Sequence, residues 1–290
     1  MRHFELLALV CIAFGLHLCE TVHAIEVHGH RGSRGLRPEN TLPSFQLALE
    51  AGADILEMDL AVTKDNVLVV SHDPHINSAI CVALDGARIG EPPLIHSLTL
   101  TQVMQYDCGT LKNPRFPEQA PCPGTRIPTL DEVFALVRNS KHPNARRIGF
   151  NVETKISSEH PEHTVDPAKF ARLVVNAIKK NRLLNRTILQ SFDPRTLIEA
   201  HKLAPGLRLA FLVEDPKIDI LAEAKRIGVQ IISPKYNLLT RERVANFQKN
   251  GFKVIPWTVN QPEDWDAMIA MGVDGIITDF PSRLIAHLKK

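Results

Sequence analysis

The feature that most constrains the fold is a regular alternation of short apolar runs with longer amphipathic stretches along the 290-residue chain. Strand-like runs begin near positions 25, 54, 148, 187, 208, 229, 253 and 275, and helical patterns lie between most of them. Alternating strands and helices form a parallel sheet, and eight such units close into a barrel. An open doubly wound sheet is the alternative, but no GxGxxG motif follows the first strand. The sequence therefore predicts an α/β fold, a (β/α)8 TIM barrel.

The hydrophobic pattern also gives approximate bounds for each element. Pro43 in a first turn and Gly52 just past a last turn are typical of a helix between them. We predict strands at 25–30, 54–60, 67–71, 148–154, 187–191, 208–213, 229–233, 253–259 and 275–278, and helices at 41–51, 130–138, 167–181, 194–203, 218–227, 241–250, 262–271 and 282–288.

Residues 75–128 interrupt this alternation. They lose periodicity and are rich in proline, at positions 92, 93, 114, 117, 121, 123 and 128. The segment is too long for an ordinary connection within a compact domain. We predict an insertion after the second strand and its hairpin, with a short helix near 99–106, that covers the active site.

Residues 1–24 have the pattern of a secretory signal peptide. A short positive region precedes an apolar run over 6–18, which is too short to span a membrane, and Val22-His23-Ala24 supplies small residues for cleavage after about Ala24. An N-terminal anchor is the alternative. We expect a secreted or periplasmic protein whose mature part, 25–290, is a single catalytic domain without a membrane span.

The overall composition argues against a nucleic-acid partner. The formal net charge is only +2, no Lys/Arg run exceeds two residues, and aromatic residues make up 6% of the chain. A basic surface interleaved with aromatic side chains is what single-stranded nucleic acids require. At 44% hydrophobic and 23% charged, the composition is that of an ordinary globular protein.

Cleavage would leave three cysteines, Cys81, Cys108 and Cys122, all in the proline-rich segment. Exported proteins meet oxidising conditions, so a disulfide is expected, but three cysteines leave one unpaired. We prefer Cys108–Cys122, which closes a short loop, although Cys81 could replace either partner. A zinc site is the weaker alternative because no CxxC pair occurs.

Two carboxylates lie on one face of the second predicted strand. With a period of two, Glu57 and Asp59 point one way, and Leu56, Met58 and Leu60 point the other. Two buried carboxylates side by side are costly unless they are paired or bind a metal. The strand alone leaves a salt bridge and a hard-cation site equally open.

The active site of such a barrel lies at the carboxyl ends of its strands. A lone histidine there is often only a hydrogen-bonded core residue, Lys155 has Glu153 as a nearby ion-pair partner, and Trp257 suits simple packing. Convergence on one rim is what favours a functional site. The residues that the predicted strands bring to this rim are His30, Arg31, Glu57, Asp59, His72, Asn151, Glu153, Lys155, Gln190, Trp257 and Asp279.

Several short motifs occur along the chain, each at a definite position. They are His30-Arg31-Gly32, Pro38-Glu39-Asn40-Thr41, Glu57-Met58-Asp59, His72-Asp73-Pro74, and the stretches 128–130, 151–155, 190–192, 257–260 and 274–281. In combination they resemble the glycerophosphodiester phosphodiesterase family over nearly all of the mature chain. That family has a (β/α)8 barrel, and its insertion after the second strand's hairpin matches 75–128. The cysteines are not part of the family pattern.

The resemblance implies roles for matching positions. Glu57, Asp59 and Glu153 look like the metal ligands, and His30 and His72 look like the acid/base pair. Arg31 and Lys155 look like phosphate contacts, and Trp257 looks like part of the pocket wall.

The chemistry of the residues agrees. An all-oxygen ligand set favours Ca²⁺ or Mg²⁺ over zinc, and outside the cytosol Ca²⁺ is preferred. A divalent cation with Arg and Lys donors suits the charge that grows on a phosphodiester during transfer.

We therefore expect metal-dependent hydrolysis of small glycerophosphodiesters, such as glycerophosphocholine and glycerophosphoethanolamine, to glycerol 3-phosphate and an alcohol. A lysophospholipase D or sphingomyelinase D-like activity on lipids is the first alternative. A non-catalytic barrel that binds a phosphorylated ligand is the more distant one. The sequence does not rank head groups, determine which histidine is the initial base, or fix the oligomeric state.

Overall fold

The computed structural model describes residues 25–290. The predicted signal peptide, 1–24, lies outside the described residues. Of the helices in the described part, none combines the length and hydrophobicity that a bilayer crossing demands.

Eight parallel strands follow one another around a barrel. Their order in the sheet is β10-β9-β8-β7-β6-β2-β1-β11, and β3 pairs antiparallel with β2. The bounds are β1 (Glu26–Gly29), β2 (Ile55–Val62), β3 (Leu68–Val70), β4 (Val82–Ala83), β5 (Tyr106–Asp107), β6 (Gly149–Thr154), β7 (Thr187–Ser191), β8 (Arg208–Val213), β9 (Ile231–Pro234), β10 (Lys253–Val254) and β11 (Gly275–Thr278).

The two ends of this sheet meet just beyond β10. The backbone N–H of Ile277 donates to the carbonyl of Pro256 at 2.9 Å, and that of Val259 donates to the carbonyl of Ile277 at 3.0 Å. These bonds bring β11 against the chain that follows β10, as a closed ring requires. The predicted (β/α)8 barrel is confirmed.

Helices cover the outside of the barrel. Several begin with an aspartate or threonine whose side chain accepts a backbone N–H, and Asp166 and Asp193 are each followed by proline at the first helical position. The bounds are α1 (Leu42–Ala51), α2 (Leu100–Val103), α3 (Leu130–Asn139), α4 (Pro167–Lys180), α5 (Pro194–Leu203), α6 (Ile220–Ile227), α7 (Arg241–Lys249), α8 (Pro262–Met271) and α9 (Pro281–His287).

The two faces of β2 separate as the period of two predicts. Leu56, Met58 and Leu60 join the apolar layer between the sheet and the helices, whereas Glu57 and Asp59 are also buried but lie outside that layer. A small apolar cluster fills the barrel interior below the carboxylates. It consists of Ile188, Ala210, Ile231, Ile255 and Ile277. The carboxylates therefore lie next to an apolar layer from which water is excluded.

Two predicted elements are shorter than expected. The strand predicted at 253–259 ends at Val254, because Pro256 has no N–H to give to a ladder. The helix predicted near 99–106 is a single turn, Leu100–Val103, held by a capping box between Thr99 and Gln102. It ends early because Tyr106 already pairs with Ala83 in the β4–β5 ladder.

The segment between β3 and α3 has its own small core. Ile76, Ile80, Ile95, Val103 and Ile127 are buried together there, with the antiparallel strands β4 and β5 beside them. A cluster this small gains its stability from the barrel wall on which it packs, since Ala61 and Val69 belong to the same cluster.

The disulfide differs from the preferred pairing. Cys81 bonds to Cys108, with 3.9 Å between their Cα atoms, and Cys122 is free. The register of β4 and β5 pairs Val82 with Asp107, which brings the residues before and after them together. The predicted Cys108–Cys122 bond is wrong because Cys108 is bonded to Cys81, and the thiol of Cys122 instead lies 3.9 Å from the carbonyl oxygen of Ala120.

Removing this cross-link should measurably destabilise the protein. The bonded cysteines are 27 residues apart, and releasing a loop of that length returns chain entropy worth about 3.5 kcal/mol to the unfolded state. The double variant Cys81→Ser/Cys108→Ser should therefore unfold at a lower temperature in calorimetry. Cys122→Ser is the matched control, and an equal decrease for that variant would contradict the assignment.

Candidate active site

A strained turn opens the site at the carboxyl end of β1. Arg31 and Gly32 both have positive φ, 51° and 84°. A Cβ on Gly32 would lie 2.5 Å from Ser44 Oγ and 2.8 Å from the backbone nitrogen of Phe45, so no larger residue fits there. The turn aims the backbone N–H of Arg31 at Glu57 Oε2, at 2.8 Å. This explains why His30-Arg31-Gly32 occurs as a unit.

Three carboxylates converge beside this turn. An oxygen from each of Glu57, Asp59 and Glu153 lies within 4.8 Å of the others, and the residues are 1%, 1% and 6% exposed. The parallel register of β2 and β6 places Asp59 directly opposite Glu153. Side-chain amides complete the setting, since Gln190 donates to Glu57 at 2.8 Å and Asn40 donates to Asp59 at 2.9 Å.

The charges of this cluster are not balanced by the protein alone. Burial, reinforced by the neighbouring carboxylates, holds the pKa of Glu57 well above its usual range. Burial also raises the pKa of Glu153, although Lys155 opposes it. The pKa of Asp59 is lowered, because Arg31 and its neighbours outweigh its burial. A divalent cation would relieve this repulsion, and the all-oxygen donor set fits a hard ion.

Two cationic side chains border the carboxylates. Arg31 lies 2.6 Å from Glu39 and 3.1 Å from Asp59, and Lys155 lies 2.7 Å from Glu153 and 3.8 Å from Asp59. The structure therefore shows the ion pair between Lys155 and Glu153. It also shows that the predicted site residues converge on one rim. Arg31 and Lys155 also line the pocket, where a bound anion would contact them.

Each predicted acid/base histidine has an aspartate partner. His30 Nδ1 lies 2.7 Å from Asp279, and His72 Nδ1 lies 2.8 Å from Asp73. Holding Nδ1 fixes the orientation of each ring and leaves Nε2 for a reacting group. Burial lowers the pKa of His30, and Asp279 opposes the shift only in part. The lowered pKa of His30 favours the neutral imidazole.

A pocket of about 430 Å³ unites these groups. Trp257 forms one wall, packs edge-on against Phe192 at 5.4 Å and donates its indole N–H to the carbonyl of Ser233. Asp59 lies just behind the surface of this pocket. The other predicted site residues line it, namely His30, Arg31, Glu57, His72, Glu153, Lys155 and Trp257.

The sequence did not reveal several contributors. Asp279 was placed on the rim without a role, and its contact with His30 spans 249 positions. Arg34 also lines the pocket and pairs at 2.8 Å with Glu39, which contacts Arg31 as well. Glu39 belongs to a motif noted in the sequence, but no sequence pattern indicated Arg34. Asp73 had a signal that could have been used, since it directly follows His72.

Comparisons with known proteins agree with this geometry. The model of the glycerophosphoryl diester phosphodiesterase family matches residues 30–283. A glycerophosphodiester phosphodiesterase from Caldanaerobacter subterraneus is 34% identical over 91% of this chain and 98% of its own length. A human lysophospholipase D is 28% identical over 88% of this chain and 83% of its own length.

Solved structures show the same barrel. A structure from Silicibacter pomeroyi, a candidate glycerophosphoryl diester phosphodiesterase, has a TM-score of 0.86 and 31% identity and covers 92% of this chain and 94% of its own. An Oleispira antarctica phosphodiesterase in complex with the product sn-glycerol-3-phosphate has a TM-score of 0.74 and 22% identity, covers 91% of this chain and 97% of its own, and shares the fold. This chain belongs to the glycerophosphoryl diester phosphodiesterase family and is an enzyme of that family.

Proposed function

We propose that residues 25–290 form one catalytic domain for metal-dependent hydrolysis of small glycerophosphodiesters, such as glycerophosphocholine and glycerophosphoethanolamine. The products would be glycerol 3-phosphate and an alcohol. The observation that carries this proposal is one pocket in which a three-carboxylate cluster meets two histidines and two cationic side chains. These are the groups that transfer at a phosphodiester requires.

The carboxylates of Glu57, Asp59 and Glu153 would hold the cation. When bound, a divalent ion stabilises negative charge on the phosphoryl oxygens. Oxygen ligands suit Ca²⁺, which is preferred for an exported protein, with Mg²⁺ as the alternative. Arg31 and Lys155 add charged donors to the same oxygens, and Trp257 borders the bound substrate.

The histidines divide the proton transfers between them. His30, neutral and held by Asp279, removes the proton of the glycerol 2-hydroxyl, whose oxygen then attacks phosphorus from within the same molecule. His72, held by Asp73, protonates the departing alcohol. The 1,2-cyclic phosphate is then opened by water, with the histidine roles reversed.

A lysophospholipase D activity is the second candidate, because the human relative carries that name. Phe192, Leu212 and Trp257 give the pocket an apolar side that an acyl-bearing glycerol would contact. Parallel assays with glycerophosphocholine and lysophosphatidylcholine separate the two candidates. Higher kcat/KM on the lipid would favour the second.

We also propose that the protein is exported, since the Cys81–Cys108 bond suits an oxidising compartment. Cleavage after Ala24 would place the mature start at Ile25, one residue before β1. N-terminal sequencing of material collected outside the cytosol should therefore begin at Ile25. A reduced, uncleaved protein confined to the cytosol would contradict export.

The carboxylate cluster gives the first test of the activity. Glu57→Gln, Asp59→Asn and Glu153→Gln should each lower glycerol 3-phosphate release from glycerophosphocholine by at least about 10²-fold, because each removes a ligand charge. Chelation should inactivate the wild type, and Ca²⁺ or Mg²⁺ should restore it. Glu132→Gln, at the start of α3, is a control outside the pocket. Full activity in excess chelator would reject the metal site.

The histidine pair predicts a pH dependence. His30→Ala and His72→Ala should each lose roughly 10²–10⁴-fold in rate. Burial lowers the pKa of His30, so the base stays neutral to lower pH, and the acidic limb of kcat/KM should lie below the ordinary value near ~6.5. Asp279→Asn removes a charge that raises this pKa, so the acidic limb should move further down. An unmoved limb would mean that Asp279 does not act through His30.

The nucleophile has its own test. If the 2-hydroxyl attacks, a 2-deoxy analogue should bind but turn over at least about 10²-fold more slowly, because the intramolecular advantage is lost. The alternative is direct attack by water, which does not use that hydroxyl. Single-turnover assays with both substrates at matched saturation decide between them, and equal rates would exclude the cyclic route.

A further inference from the structure

A second cluster of potential ligands lies outside the catalytic pocket. It is on the loop between β6 and α4, where one donor atom from each of His160, Glu162 and His163 lies within 4.8 Å of the others. We propose that these three residues form a second metal site, for a borderline divalent transition ion of the Zn²⁺ class. Nothing in the phosphodiesterase chemistry uses them.

The local backbone brings the ligands together. Residues 161–163 form a single turn of 3-10 helix, and side chains three positions apart eclipse in such a turn. The rings of His160 and His163 stack, with centroids 4.6 Å apart and planes inclined by 14°. Because the lone pair of each ring nitrogen lies in the plane of its ring, one ring has to rotate out of the stack for both to bind the same ion. Glu162 lies between them in sequence and turns its carboxylate toward both rings.

The donor spacing fits a coordinated ion as well as it fits the long ion pairs among these side chains. His160 Nδ1 and His163 Nε2 lie 3.3 and 3.4 Å from the same oxygen, Glu162 Oε1. Bonds of about 2.0–2.1 Å in a tetrahedral site separate neighbouring ligands by about 3.3–3.4 Å. Apart from a partly buried pair on β1, His28 with Glu26 at 3.5 Å, other histidine–carboxylate pairs in the described residues are closer. They are His30–Asp279 at 2.7 Å, His72–Asp73 at 2.8 Å and His287–Asp266 at 2.6 Å.

The chemistry of the donors separates this site from the catalytic one. Two imidazoles and one carboxylate suit Zn²⁺ and its neighbours, which favour nitrogen, whereas three carboxylates suit Ca²⁺ or Mg²⁺. The side chains of His160, Glu162 and His163 are 57%, 62% and 25% exposed, so an ion reaches them directly from solvent.

The cluster of His160, Glu162 and His163 lies where two loops next to the catalytic pocket meet. The loop begins just after Lys155, and the ring of His163 packs edge-on against His75 at 5.3 Å. His75 is three residues beyond His72. An ion held by His160, Glu162 and His163 would restrain residues 156–166 and fix His163 against His75.

Metal counting tests the site directly. All proteins carry Cys122→Ser, which removes a competing thiol, and the protein with this change alone is called the unsubstituted protein. Each is dialysed against Zn²⁺ in excess Ca²⁺ before elemental analysis. The unsubstituted protein should bind one more Zn²⁺ per chain than His160→Ala/His163→Ala. His201→Ala, which removes an exposed histidine on α5, should bind as many as the unsubstituted protein. Equal stoichiometry in the double variant would overturn the proposal.

A second measurement locates the ion and checks the fold. Zn²⁺ should slow amide exchange in 156–166 of the unsubstituted protein and not of the double variant, whose zinc-free, Ca²⁺-supported phosphodiesterase rate should be unchanged. If the double variant misfolds, the single variant Glu162→Gln can replace it in the test. Its affinity for Zn²⁺ should fall by roughly tenfold or more. Unchanged affinity in Glu162→Gln would equally overturn the proposal.

Discussion

The structure depends on the burial of three carboxylates at one end of the barrel. Isolated charges in such a place are too costly to persist, so their surroundings are built to offset them. The turn at Gly32 turns the N–H of Arg31 toward Glu57, and Lys155 pairs with Glu153. The remaining imbalance, seen in the raised pKa of Glu57 and Glu153, is one that a bound divalent cation would relieve.

The two histidines each pair with an aspartate, but they differ in how deeply they are buried. His30 and its partner Asp279 have side chains only 12% and 4% exposed, whereas those of His72 and Asp73 are 34% and 40% exposed. Burial disfavours the charged imidazole, so the inner ring suits removal of a proton. The outer ring stands where a departing alcohol can leave toward solvent. The difference in burial, more than the identity of the residues, supports distinct roles for the two rings.

The sequence predicted the barrel because hydrophobic periodicity is local, and it predicted the rim because strand ends share one edge. The sequence alone therefore predicts that Glu57, Asp59 and Glu153 lie at one rim. What the sequence did not predict are contacts between residues that are far apart along the chain. The pairing of Cys81 with Cys108 depends on the register of β4 and β5, which spacing along the chain does not encode. Likewise, the contact of His30 with Asp279 joins the first strand to the last, and it exists only when the barrel closes.

The segment between β3 and α3 reaches the pocket through His72 rather than through the carboxylates. Asp73, which orients His72, accepts a hydrogen bond from Asn77 at 2.6 Å. The carbonyl of Asn77 in turn accepts the backbone N–H of Cys81 at 2.8 Å, and Cys81 is fixed by its bond to Cys108. His30 has no such dependence, because Asp279 belongs to the end of β11. The barrel therefore positions His30, the proposed base, and the small core beside it positions His72, the proposed acid, so the two proposed proton-transfer groups rest on separately stabilised parts of one domain.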